Sequence, residues 1–331
     1  MLSDRHKAGR SAALFVFVPA QKTAERINMK KITAVLLTVL IVFGIYHFTE
    51  TPSVLNSGDI LTIYYIDVGQ ADSTLIVCGD ETMLIDGGNI SDSSLIYSFL
   101  KERGISRLNY IIATHPHEDH IGGLSGALNY AQADVIYCPV KEYDSTAFRN
   151  FVKYLDAQNK QITVPEAGYE FSLGKAKVQI LGPQKKYSSM NNMSIVLKIT
   201  FGKTSFLFTG DAEREAEHDL INSGYDLSSD VLKAGHHGSA SSSSYPFLYH
   251  VMPEYAVISC AEDSRYEHPD SGTLSRLSDI PAVVYRTDLH GTITCISDGQ
   301  NINFFTEKTP ALSSYSRQKS RVLYWHLLFF P

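Results

Sequence analysis

Three short apolar runs in this chain end in the same kind of residue, and that shared ending limits the folds open to it. "LNYIIATHPHEDH" is apolar up to Ala113 and then presents His115, His117, Asp119 and His120. "TSFLFTGD" ends in Asp211, and "DVLKAGHHGS" ends in His236 and His237. Such runs, rich in β-branched and aromatic residues and closed by Gly, read as buried strands. Strand ends of one sheet converge in space, so the economical reading is one shared site at a sheet edge. Taken singly, each ending is an ordinary turn Asp or a surface His pair.

In a locally extended segment, residues two apart point the same way, so His115 and His117 can reach one ion together. Asp119 and His120 lie past the bend, ahead of a helix near Gly122–Tyr130, and can reach a second. Imidazole and carboxylate suit zinc, manganese or iron(II). Cys78, Cys138, Cys260 and Cys295 are widely spaced with no C-x-x-C, which argues against a structural zinc site. An exported chain would permit disulfides among them without requiring any.

Export is expected from the N-terminus. Lys30 and Lys31 precede the apolar run "ITAVLLTVLIVFGIYHF", residues 32–48. A charged stretch before an apolar one is the layout of an export signal. The run reads as a retained signal anchor, or else as a cleaved signal peptide, since about 17 residues is the low end of a membrane span. Residues 1–31 would stay cytoplasmic by their basic charge, and Met29 offers an alternative start that would make 1–28 an extended gene reading. Residues 49–59 form a polar linker, 60–305 the main folded domain, and 306–331 a tail to which no role is given. The domain would then be exported, either membrane-anchored or secreted.

Within 60–305, "LTIYYIDVG", "STLIVCG" and "TMLIDGG" read as three strands in quick succession, which suggests an antiparallel meander. Leu95, Ile96, Phe99 and Leu100 repeat at helical spacing before Gly104. Phe148, Phe151, Val152 and Leu155 mark a second amphipathic helix, with Ser145 as its N-cap. "KVQIL" and "SIVLKIT" are strands, "AEREAEHDLINSG" and "YPFLYHVM" helices, and "EYAVISC", "AVVYRT" and "TITCIS" strands again. Strands with interspersed helices, followed by the same again, predict an α/β (α+β) chain: two mixed β-sheets packed face to face with helices outside.

With these motifs in view, the chain resembles the metallo-β-lactamase superfamily. "HPHEDHIGG" matches its H-x-H-x-D-H signature, and "LIDGG" at 84–88, "FTGD" at 208–211 and "HHGS" at 236–239 follow in the expected order. Within it, the closer match is to the extracellular hydrolase domain of ComEC-type DNA-uptake proteins and its stand-alone relatives, which the chain resembles through Asp67–Ser73, "SIVL" and the pair His268–Pro269. The resemblance covers roughly residues 60–300 and implies an αββα sandwich with two divalent ions, zinc first and manganese second. By position, His115 and His117 would bind the first ion, and Asp119 and His120 the second. Asp211 would bridge them, and one of His236 and His237, preferably His237, would complete the second site. Asp86 would orient a ligand from behind. Where many members supply a further His, this chain reads "NNMS", Asn191–Ser194, a pattern the ComEC-type group shares. Asn192, Ser194, Lys233, Ser239 and His268 are the candidates for touching substrate, and Asp119 and His268 those for catalysis.

The resemblance implies hydrolysis by a hydroxide that two ions generate near neutral pH. A phosphodiester outside the membrane is the first substrate class, with single-stranded DNA its leading member and a separate channel protein a candidate partner. The alternatives are a carbonyl hydrolase acting on a lactone, thioester or β-lactam, and a non-catalytic metal-dependent binding module. A net charge of -6 argues against a broad nucleic-acid-wrapping surface. Lys185 and Lys186 are the basic pair near the expected site, and Tyr64, Tyr65, Tyr187 and Tyr266 are candidate stacking faces.

Overall fold

A computed structural model describes residues 60–309. The basic segment 1–31, the apolar run 32–48, the linker 49–59 and the tail beyond 309 lie outside the described residues. Among the described residues no helix is long and apolar enough to cross a membrane.

The first half opens with β1 (Leu61–Tyr65), β2 (Thr74–Cys78) and β3 (Glu81–Ile85), paired antiparallel in order. Helix α1 (Ser93–Glu102) then crosses over to β4 (Arg107–Ile112), which pairs parallel with β3. The short α2 (Glu118–Ile121) and α3 (Leu124–Tyr130) lead to β5 (Gln132–Tyr137), and α4 (Thr146–Ala157) leads to the two-residue β6 (Ile162–Thr163), both added in parallel. The Ser145 hydroxyl accepts from Phe148 N at 3.1 Å, as expected of an N-cap.

The second half repeats this plan. An antiparallel series, β7 (Glu170–Leu173), β8 (Ala176–Gly182), β9 (Val196–Phe201) and β10 (Thr204–Phe208), is followed by parallel strands β11 (Val231–Lys233), β12 (Tyr255–Ile258) and β13 (Val283–Arg286). Helices α5 (Arg214–Asn222), α6 (Tyr245–Val251) and α7 (Ser271–Asp279) make the crossovers. A one-turn α8 (Thr287–His290) then returns the chain to the first sheet, where β14 (Ile293–Ser297) pairs with β1 and β15 (Ile302–Thr306) forms the edge. The result is an eight-stranded sheet ordered β15-β14-β1-β2-β3-β4-β5-β6 and a seven-stranded sheet ordered β13-β12-β11-β10-β9-β8-β7.

Three cores hold the layers together. Between the sheets, Ile63, Tyr65, Met83, Ile112, Val178, Leu197, Phe206 and Phe208 are buried against one another. Tyr65 of the first sheet stacks on Phe208 of the second at 6.1 Å. Outside the first sheet, Ile96 and Leu100 of α1, Leu124 of α3 and Phe151 of α4 cover Leu84 and Ile111. Outside the second, Leu220 of α5, Phe247 of α6 and Leu277 of α7 cover Leu207 and Leu232. Each such side chain, fully removed from water, contributes about 1.5–3 kcal/mol before the entropy of ordering it is counted. This is the αββα sandwich. The four cysteines are buried free thiols, two in the central core and one in each outer core.

Candidate metal centre

Parallel strands point their carboxyl ends to one rim, and the rim is where loops gather functional side chains. Here Asp86 follows β3, Thr114–His120 follow β4, Asp211 follows β10, and His236 and His237 follow β11. The loop after β4 is pressed down by glycine. A Cβ on Gly122 would lie 2.2 Å from Ile90 N, and one on Gly123 would lie 2.0 Å from Gly87 O. Only without side chains there can Gly87 N reach His120 O at 2.6 Å and Gly123 N reach Gly88 O at 3.1 Å. The Gly pair after the His cluster thus docks it on the loop that carries Asp86.

His115 Nε2 and His117 Nδ1 are 2.9 Å apart, so the two residues do point the same way. His115 is wholly buried, and its Nε2 lies 3.8 Å from Asp211 Oδ2. Asp119 and His120 sit past the bend with Asp211 and His237. One ligand atom from each of these four lies within 4.8 Å of every other. His120 Nε2 is 3.3 Å from Asp211 Oδ2, and His237 Nε2 is 3.3 Å from Asp119 Oδ2. The Asp119 side chain is a third exposed, which leaves the cluster open on that side.

Each ring is aimed from behind. Asp86 Oδ1 accepts from Thr114 N at 2.8 Å, while its Oδ2 accepts from Thr114 Oγ1 at 2.7 Å and lies 2.8 Å from His120 Nδ1. That bond puts the His120 proton on Nδ1 and leaves Nε2 with its lone pair toward the cluster. His237 Nδ1 meets the Ser259 carbonyl at 3.1 Å, an acceptor only, which fixes the same tautomer. Asp211 is held by its own N–H, which donates to Ser194 Oγ at 3.0 Å.

These atoms fit a cation. His120 Nε2, Asp211 Oδ1 and His237 Nε2 are buried, face the cluster and make no hydrogen bond. Buried polar atoms without partners are rare and call for an ion or a water. The charges agree. Burial raises the Asp211 carboxyl, yet His120 and His237 hold it well below the usual range. Burial likewise opposes charge on His237, yet Asp211 and Asp72 bring it up to about 10. Burial raises Asp119 too, and His120 and His237 bring it down to about 2. The carboxylates thus call for positive charge among them, which protons or a divalent ion can meet. The donor set suits a borderline ion such as Zn²⁺, and a harder Mn²⁺ with added water.

The remaining candidates are placed differently. Lys233 does not face solvent for a phosphate. It is 2% exposed, and its ammonium lies 2.9 Å from both oxygens of Asp72. Asp72 in turn lies 3.3 Å from His237 Nδ1. Burial raises the Asp72 carboxyl, and Lys233 and His237 overcome it and hold it low. The sequence offered Asp72 only as part of Asp67–Ser73, with no role. Asn192 Oδ1 accepts from Glu213 N at 2.9 Å, and Ser239 Oγ lies 3.1 Å from Ser241 Oγ, so both side chains are engaged inside the protein. His268 is half-buried at the mouth. Its ring is 5.5 Å from that of His236, and its Nδ1 is 3.4 Å from Gln70 Nε2. Tyr266, 54% exposed, stacks beside it at 5.9 Å. Tyr65 and Tyr187 are core residues, and Lys185 is paired with Glu215 and Asp219.

The chain is similar to several known proteins. "ComE operon protein 3" of Bacillus subtilis is 30% identical over 275 residues, 77% of this chain and 34% of that protein. "Competence protein ComA" of Neisseria gonorrhoeae is 31% identical over 230 residues, 69% of this chain and 31% of that protein. The chain therefore spans about a third of the length of these curated relatives. Among solved structures, the metallo-beta-lactamase fold protein YhfI from Bacillus subtilis aligns with 74% of this chain and 100% of its own, at 12% identity and a TM-score of 0.48. The family model described as the metallo-beta-lactamase superfamily matches residues 66–262, a span that runs from the end of β1 past β12 and takes in every donor named above. By that match the chain belongs to the metallo-β-lactamase superfamily.

Proposed function

We propose that this protein is a divalent-metal-dependent phosphodiesterase that cleaves single-stranded DNA outside the membrane. The observation that carries the reading is the convergence of unpartnered His120 Nε2, Asp211 Oδ1 and His237 Nε2 beside His115 and His117, at a rim open past Asp119. Divalent ions held there supply Lewis acidity and offset the charge that builds on a phosphoryl oxygen, a contribution of several kcal/mol. Asp119, His120, Asp211 and His237 would hold one ion, and His115 and His117 would hold another beside the same Asp211. Asp86 and Ser259 hold the Nδ1 side of each ring before any ion arrives, so loading would displace only the proton on Nε2.

At the mouth, His268 can give a proton to the leaving oxygen. Burial lowers its pKa, and the neighbouring His236 and His237 lower it further. The proton-carrying form is therefore the minor one at neutral pH, and this donor role strengthens as pH falls. Tyr266 offers a face for an unpaired base, which suits a single strand rather than a duplex. With a net charge of -6 and Lys185 engaged, contact with the strand is local and weak. The name of one relative, which speaks of competence, favours DNA over other phosphodiesters. On this reading residues 32–48 tether the domain and a separate channel protein receives or delivers the strand.

The test is the purified chain with Zn²⁺ or Mn²⁺, offered bis-p-nitrophenyl phosphate, labelled single-stranded DNA, a thioester and a lactone. Phosphodiester cleavage that Asp211→Ala abolishes supports the reading. Turnover of the carbonyl substrates alone refutes it.

A further inference from the structure

His236 has the setting of a ligand, and the family signature does not require it to be one. It sits beside His237 in a four-residue turn, Gly235–Gly238, in which both histidines take left-handed backbone conformations, with φ 51° and 53°. Such conformations cost non-glycine residues energy and persist where the surroundings demand them. Here the consequence is that neighbouring side chains converge on one carboxylate from different directions. The rings are 6.1 Å apart and inclined at 67°. His237 Nε2 lies 3.8 Å from Asp211 Oδ1, while His236 Nε2 lies 3.6 Å from the other oxygen, Oδ2. Oδ2 is also the oxygen 3.8 Å from His115 Nε2.

The far side of the His236 ring is anchored. Nδ1 lies 3.3 Å from Ser241 Oγ, and that hydroxyl donates to Glu213 Oε1 at 3.0 Å. Because the serine proton is used on Glu213, Ser241 Oγ accepts from Nδ1–H, and the ring proton is fixed on Nδ1. Nε2 is left with a lone pair facing Asp211 Oδ2. Two acceptors at that distance repel unless a cation lies between them. Donors bound to one ion at about 2.1 Å stand roughly 3–3.6 Å apart, and His236 Nε2 lies at the upper end of that range from Asp211 Oδ2. Glu213 is itself fixed, since its N–H donates to Asn192 Oδ1 at 2.9 Å. Asn192 is thus committed to the segment that anchors His236 and is not itself turned on the cluster.

We propose that His236 is a third imidazole ligand of the ion at His115 and His117, so that His236 and His237 serve different ions, with Glu213 as its positioning residue. The inference rests on the metal centre proposed above but concerns which residues hold which ion.

The experiment measures metal binding, not turnover. The full chain is stripped, reloaded with Mn²⁺ or Zn²⁺, and titrated for stoichiometry and affinity, with the spin coupling of a Mn²⁺ pair read by electron paramagnetic resonance. The variant is His236→Asn, because Asn tolerates the left-handed backbone. Wild type binds two ions, with a coupled signal. His236→Asn keeps one tight ion, binds the other at least 10-fold more weakly and loses the coupling. Glu213→Gln weakens the same ion by a smaller factor, and His268→Ala changes neither. Two ions bound by His236→Asn with unchanged affinity overturn the assignment, as does loss of both ions from a protein still folded by circular dichroism. A wild type that binds no ion overturns the metal centre itself, a distinct failure.

Discussion

Replacing Asp86 with asparagine separates aiming a ligand from being one. The Asp86 carboxylate is wholly acceptor: Oδ1 takes Thr114 N, and Oδ2 takes both Thr114 Oγ1 and His120 Nδ1, all within 2.8 Å. Asn has nearly the same shape and tolerates the φ of 57° that Asp86 adopts, so the loop keeps its course. Its amide oxygen can retain Thr114 N, but its NH₂ then faces His120 Nδ1. The His120 proton must move to Nε2, the atom aimed at Asp211 and Asp119. An ion can bind only if that proton is moved back, at the loss of one hydrogen bond to a charged group, about 1.5–3 kcal/mol. Affinity for metal should fall roughly 10- to 100-fold, the range found for groups that orient ligands. Without metal the change is small, about 1 kcal/mol or less, because a buried carboxyl already raised by desolvation is exchanged for a neutral amide. Competition with a chelator reads the affinity, and urea unfolding of the stripped protein reads the stability. An affinity within about 2-fold of wild type would show that Asp86 does not set the His120 tautomer. A matching loss of several kcal/mol of stability would make Asp86 a structural residue instead.

Lys233→Met removes one partner of the buried pair with Asp72 and should cost about 3–5 kcal/mol in urea unfolding, while Asp72→Asn with Lys233→Met should cost less than Lys233→Met alone; a single variant as stable as wild type would refute the pairing. His268→Ala should lower kcat on bis-p-nitrophenyl phosphate by roughly 10²-fold while both ions remain bound, and an unchanged kcat would return His268 to a structural role. Metal binding should depend on pH in a definite direction. In the metal-free protein His120 is raised well above its ordinary pKa and His237 to about 10, so their contribution to stability is full below about 6.5 and is lost as pH rises through the folded values. An ion takes the place of those protons, so the gain in Tm on adding Zn²⁺ should grow between pH 7 and 9, by up to about 1.4 kcal/mol per pH unit for each proton displaced. Scanning calorimetry with and without metal checks it, and a gain that shrinks with pH would refute it. The raised thiols of Cys138 and Cys295 titrate alike in both forms and cancel in the difference.

The donors were legible because each follows its strand at once. β4, β10 and β11 are apolar runs that each end three residues before His115, Asp211 and His236, so the sequence itself puts the ligands on a rim. The Gly pair could be read too, although its reason, contact with Gly87 and Ile90, could not. What escaped was direction. β11 is three residues long and buried on both faces, and a parallel strand covered on both sides shows no alternation from which to tell that Lys233 turns inward. β5 opens on an exposed Gln132, and α7 buries only Thr273 and Leu277 along nine residues, so neither carried enough pattern to be noticed. Asn192 stood out only as a candidate for touching substrate, because its bond to Glu213 joins residues 21 apart and leaves no periodic trace.

The residues that hold the donors are as ordered as the donors. Asp86 lies behind His120, Asp72 and Ser259 behind His237, and Ser241 with Glu213 behind His236. One of these supports crosses between the sheets. Asp72 enters β2 of the first sheet, while His237 and Lys233 belong to the end of β11 in the second. Ile195 N at the start of β9 donates to Thr114 O after β4, at 2.8 Å, which ties the His loop of one sheet to the Asp211 side of the other. Neither half can assemble the cluster alone, because His115–His120 come from one sheet and Asp211, His236 and His237 from the other. The Tyr65–Phe208 contact joins the two sheets, and ions bound by donors from both would add their binding energy to the docking of the sheets. That coupling explains why charged groups as costly as Lys233 and Asp72 are buried at this seam. Paired across it, they hold His237 in register, and unpaired they would penalise any slip of one sheet against the other.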